Sequence, residues 1–171
     1  RGAYQIANEL KKRHIKPYFV LDEGLVITEG IVPGIEKSVA LIGTSEKGYM
    51  SIDLNVNIEG GHSSMPGKST AISVLSTAVS KLQGNSFKAK IPKPMDGFIK
   101  KLGPEMPFLN RMAFANMWLF ESLVIKQLEK SNAGNATVRT TIAPTLFHSG
   151  IKENLVPMEA SATVNFRILP G

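Results

Sequence analysis

The sequence of 171 residues contains no cysteine, which excludes a disulfide framework, a thiolate zinc site and a cysteine nucleophile, and leaves the redox compartment undetermined. No run approaches the ~20 consecutive apolar residues that a bilayer-crossing helix requires, and no signal-peptide pattern opens the chain. Basic residues are not grouped. The net charge is +6, but Lys11, Lys12, Lys37, Lys47, Lys68, Lys81, Lys88, Lys90, Lys93, Lys100 and Lys101 are scattered, with no aromatics interleaved, which argues against a nucleic-acid surface. There is no GxSxG nucleophile elbow and no phosphate-binding glycine loop, and His14 and His148 have no partners at metal-ligand spacing.

What is present suffices for a core: 43% of the residues are hydrophobic. Ala3, Ile6, Ala7 and Leu10 fall at helical spacing between Gly2 and His14, with Lys11, Lys12 and Arg13 in the last turn, where cations suit the helix dipole. After Pro17, Tyr18-Phe19-Val20-Leu21 reads as a short buried strand ending in the polar turn Asp22-Glu23-Gly24. Val39 to Ile42 is a further short strand. The clearest period-2 signal follows: Met50, Ile52, Leu54, Val56 and Ile58 alternate with Ser51, Asp53, Asn55, Asn57 and Glu59, a strand with one wet face.

Between Ser69 and Leu82, the residues Ala71, Val74, Leu75, Ala78, Val79 and Leu82 line one helical face. From Gln83 the chain is rich in Gly, Pro and Lys. It regains helical character from Phe108 to Leu128, an insertion of one or two helices whose tryptophan and phenylalanines read as core, punctuated by Asn132, Gly134 and Asn135. Thr137 to Phe147 and Ala160 to Ile168 are strand candidates, the second again alternating. One-sided strands with helices between them predict an α+β fold, a largely antiparallel sheet with helices on one face.

Four short clusters carry candidate chemistry. Asp22, in Val20-Leu21-Asp22-Glu23-Gly24, stands at the carboxyl end of an expected strand, where a carboxylate suits a zinc ion or merely solvates a turn. His62, in Gly60-Gly61-His62-Ser63-Ser64-Met65-Pro66, lies in a loop leading to a helix, where an imidazole either donates a hydrogen bond to a ligand or is simply solvated. Asn154 opens Asn154-Leu155-Val156-Pro157. Arg167, within Asn165-Phe166-Arg167-Ile168-Leu169-Pro170-Gly171, projects from the polar face, where it could clamp a carboxylate bidentately or make an ordinary surface pair.

In their order, LDEG, SEKG near 45–48, GGHSSMP, NLVP and NFRILPG resemble the middle of the two-zinc aminoacylase/carboxypeptidase family of metallopeptidases, in its Gly-X carboxypeptidase and N-acyl-amino-acid hydrolase branch. The resemblance covers nearly the whole chain. It implies that residues 1–46 are the tail of a first catalytic segment with a short α/β remnant. Residues 47–168 would be a ferredoxin-like lid, or dimerisation domain, with a helical insertion at about 84–135, and 169–171 would begin the return to the catalytic domain. By the same resemblance Asp22 binds one of two zinc ions, His62 polarises the scissile carbonyl, Asn154 contacts substrate and Arg167 holds the substrate carboxylate. The implied reaction is hydrolysis of an amide next to a free carboxylate, in a peptide or N-acyl amino acid, by a homodimer formed through the lid. Leu25, where a second glycine often follows LDEG, and Leu169, where a histidine often precedes Pro-Gly, depart from the usual pattern.

The chain opens at Arg1 without a methionine and closes directly after a strand-like run, which reads as a segment of a longer protein. With the other metal ligands outside it, the segment is expected to be inert and to hold no zinc by itself. The competing expectation is a non-catalytic ferredoxin-like dimerisation or binding module.

Overall fold

The computed structural model describes residues 2–20, 27–30, 32 and 34–171. The chain divides into two compact units, Arg1–Gly43 and Thr44–Gly171. In the first, α1 (Gly2–Lys12) has its basic residues in the last turn, and β1 (Ile27–Thr28) pairs antiparallel with β2 (Val39–Ala40). Tyr18, Phe19 and Val20 are exposed and form no strand, contrary to the expectation of a buried strand there. A short apolar run becomes a strand only where a neighbour accepts its backbone hydrogen bonds, and among the described residues none does. Asp22 lies outside the described residues.

In the second unit, β3 (Gly48–Asn57) leads through β4 (Gly61–His62) to α2 (Ala71–Gly84). Thr70 caps α2 in a reciprocal capping box with Ser73: the Ser73 amide donates to Thr70 Oγ1 at 3.1 Å, and the Thr70 amide donates to Ser73 Oγ at 2.9 Å. Then come α3 (Lys93–Leu102), a 3₁₀ turn at Gly103–Glu105, α4 (Phe108–Ala115), α5 (Met117–Leu128) and α6 (Asn132–Val138). The chain ends in β5 (Thr141–Ser149), β6 (Leu155–Val156) and β7 (Glu159–Ile168).

The main sheet has the order β3-β7-β5 with antiparallel neighbours, so β3 and β5 run parallel, with β7 between them. This split βαβ arrangement with α2 in the crossover is the ferredoxin-like pattern, of which the described residues provide three strands. Burial on β7 alternates: Ala160, Ala162, Val164 and Phe166 are buried, while Ser161, Thr163 and Asn165 are half-buried on the other face. α2 covers the apolar face, where Ala71 and Leu75 meet Ala160 and Ala162, flanked by Leu54, Val56, Ile58 and Val79. The small alanines let the helix lie close to the sheet. That cluster does not reach Met50 and Ile52, which keep 40% and 39% of their surface despite their place in the alternation.

The segment between α2 and β5 has four α-helices where one or two are expected, and residues 137–138 belong to α6, not to a strand. Ser131 explains this, since its Oγ accepts the Gly134 amide at 3.0 Å and starts a helix where Asn132, Gly134 and Asn135 read as a break. The expectation that the insertion's aromatics are core fails at Trp118, which is 83% exposed, and at Phe108, also exposed. α5 buries Val124, and Trp118 lies well off that face.

Candidate functional site

His62 and Asn154 are far apart in sequence and adjacent in space. β4 pairs antiparallel with β6 in the register Gly61↔Val156 and His62↔Leu155, and the Ser63 amide donates to the Asn154 carbonyl at 3.1 Å. His62 is therefore on a two-stranded ribbon and not in a free loop. The ribbon grows from the end of the main sheet, where the Ile58 amide donates to the Met158 carbonyl at 2.9 Å. Gly60 allows the close approach: a Cβ there would stand 2.6 Å from Met158 Cγ and 2.9 Å from the Val156 carbonyl oxygen.

The imidazole of His62 is exposed and oriented locally. Its Nδ1 lies 2.9 Å from Ser64 Oγ and accepts the Ser64 backbone amide at 3.3 Å. A backbone amide can only donate, so Nδ1 presents its lone pair and the proton of the neutral ring resides on Nε2. The side chain thus offers an N–H donor to solvent.

Arg167 stands at the far end of β7. Its cross-strand partner on β3 is Tyr49, and the guanidinium lies over the Tyr49 ring, 4.7 Å from its centroid. A ring against one guanidinium face leaves the N–H edges free for a planar anion. Lys47 is a neighbouring cation that the sequence did not single out. Its Nζ donates to the carbonyls of Ala136 and Arg139, both at 2.8 Å, and burial, followed by repulsion from Arg167, holds its pKa below the usual lysine range. Asn165 Nδ2 donates to the Met50 carbonyl at 3.2 Å and to Ser51 Oγ at 3.1 Å, which ties the polar face of β7 to β3.

The structure therefore brings His62 and Asn154 together but sets Arg167 apart. Arg167 lies eight residue steps along β7 from Glu159, at the ribbon end of the strand, or roughly 26 Å at the usual strand rise. Among the described residues no three or more of His, Cys, Asp and Glu cluster as a metal site, so those residues alone do not fit a bound zinc. Nor, among them, is any helix long and apolar enough to cross a membrane.

Residues 44–171 match the family model of the peptidase dimerisation domain. The chain belongs to that family. Among curated proteins it is 43% identical over 172 residues to N-fatty-acyl-amino acid synthase/hydrolase PM20D1 of Xenopus tropicalis, covering 100% of this chain and 34% of that protein. It is 42% identical over 174 residues to probable carboxypeptidase S-like 2 of Dictyostelium discoideum, covering 99% and 33%. It is 25% identical over 187 residues to carboxypeptidase S of Saccharomyces cerevisiae, covering 98% and 30%. This peptidase dimerisation domain, with the residues before it, thus spans about a third of the length of the curated relatives it matches. No solved structure matches.

Proposed function

We propose that this chain is the lid and dimerisation part of a zinc-dependent hydrolase that cleaves an amide next to a free carboxylate, in a peptide or an N-acyl amino acid. Residues 47–168 form the lid and residues 1–46 belong to the catalytic side. The names of the relatives, an N-fatty-acyl-amino acid synthase/hydrolase and carboxypeptidases, support that substrate class.

The observation that carries the reading is the separation of the ribbon from Arg167. A single amino-acid substrate cannot reach both across roughly 26 Å of one sheet. In a dimer, His62 and Asn154 of one copy and Arg167 of the other meet on one substrate. Arg167, steadied by Tyr49, holds the carboxylate with two charge-assisted hydrogen bonds. His62 directs its Nε2 proton at the amide carbonyl oxygen and stabilises the negative charge that builds there as the carbonyl is attacked. On its motif alone Asp22 is assigned to one of two zinc ions, the other ligands coming from outside this segment. Such ions supply carbonyl polarisation and a water of lowered pKa.

The test is His62→Ala in the full-length protein. Turnover should fall by about 100- to 1,000-fold at unchanged zinc content, the usual cost of losing an oxyanion donor. Nearly normal turnover would refute the role, and a dimer that hydrolyses no acyl amino acid or peptide would return the chain to the non-catalytic module.

A further inference from the structure

A groove of about 840 Å³ opens beside the ribbon, within the range that binds small molecules. Its floor is the helix-free face of the sheet at the ribbon end, where Asn55 and His148 pair with Ser161 from either side. Its walls are apolar. Leu155, Val156 and Met158 come from the ribbon and the residues after it, and Ile151 comes from the turn at Gly150, whose φ of +75° puts it in the left-handed region that glycine tolerates. Ile151 is 90% and Met158 63% exposed, large apolar surface left in water around a concave site.

The groove adjoins His62, which does not itself line it. Leu155 is its direct cross-strand partner, so the two side chains stand on the same ribbon face with Cβ atoms about 5 Å apart, and Leu155 lines the groove. An amide carbonyl held by His62 has two arms. The amine arm carries the carboxylate and runs to Arg167 of the second copy. The acyl arm is left to the surfaces around His62, of which the groove is the adjoining concave one.

We infer that this groove binds the acyl chain of the substrate and favours long aliphatic chains, with Ile151, Leu155 and Met158 as its specificity-determining walls. The inference rests on the proposed role of His62.

The test uses the full-length enzyme and two substrates sharing one amino acid, an N-acetyl and an N-palmitoyl derivative. Ile151→Asp should lower the ratio of kcat/KM for palmitoyl to acetyl substrate at least tenfold, comparable to the burial of about two methylene groups. Ile151→Leu should retain most of the wild-type ratio. An unchanged ratio in Ile151→Asp overturns the inference, and so does the same loss in Ile151→Leu. A dimer that dissociates in Ile151→Asp, measured by sedimentation, also overturns it and makes the groove a protein interface. His62→Ala separates the two readings: if it is harmless on both substrates the proposed site fails, whereas if it damages both and Ile151→Asp leaves the ratio unchanged, only the groove fails.

Discussion

A mixing experiment decides whether the site is shared between copies. His62→Ala and Arg167→Ala each remove one half of the proposed constellation. The first loses an oxyanion donor, about 100- to 1,000-fold, and the second loses charge-assisted hydrogen bonds worth about 1.5 to 3 kcal/mol each, about 10- to 100-fold or more. Because His62 sits on the ribbon beyond one end of the main sheet and Arg167 near the other end, a shared site takes its histidine from one chain and its arginine from the other. When the two variants are refolded together at equal concentration, about half of the dimers are mixed by chance. In each mixed dimer one site receives both substitutions and the other none. The mixture should therefore recover about a quarter of the wild-type kcat/KM, well above either parent. If both residues served the same site from one chain, no mixed dimer would contain a whole site. A mixture that never exceeds the average of its parents would refute the shared arrangement.

Other outcomes follow from single contacts. Arg167→Lys should lower kcat/KM at least about tenfold on substrates with a free carboxylate and change carboxamide analogues little, since lysine offers a point charge in place of a fork. Its folding stability in urea should stay within about 0.5 kcal/mol, as expected for an exposed side chain. Leu75→Ala, fully buried between α2 and the sheet, should cost about 2 to 5 kcal/mol of unfolding free energy in the same assay, and a loss under 1 kcal/mol would mean the core lies elsewhere. Folding lowers the pKa of Lys47, so the unfolded chain binds that proton more tightly, and the stability of the wild type relative to Lys47→Met should rise with pH between the lowered value and the ordinary lysine value and be flat on either side. Arg167→Gln should shrink that rise only in part, because burial is the larger cause.

Periodicity made the main sheet and α2 legible. The alternation from Met50 to Ile58 and from Ala160 to Ile168, and the helical stripe through Ala71 and Leu75, each report contacts that repeat with the element's own geometry. Elements set by a single distant partner were not legible. The pairing of His62 with Leu155 spans 93 sequence positions over only two residues, too short for any pattern. The insertion was misread for a related reason: its helices bury few residues each, so their stripes are weak, and Ser131 as a cap was hidden among residues that also make turns. For the candidate site, the motifs named His62, Asn154 and Arg167, but nothing local in the sequence reports that the sheet holds two of them far from the third. Lys47 gave no signal, since a lysine satisfied by two carbonyls looks like any other.

The two margins of the main sheet are unlike. On β5, Pro144 carries no amide hydrogen and the register slips between Pro144 and Leu146, so a strand laid along that side would miss a hydrogen bond and meet an irregular backbone. β3 is ten residues long, regular in register, and has no partner on its outer side among the described residues. Growth of this sheet is therefore one-sided. A strand from later in a longer chain, or β3 of a second copy related by a two-fold axis, would use up the one receptive margin that the described residues leave on this sheet. A domain built this way can close into a pair without the means to continue into a fibre.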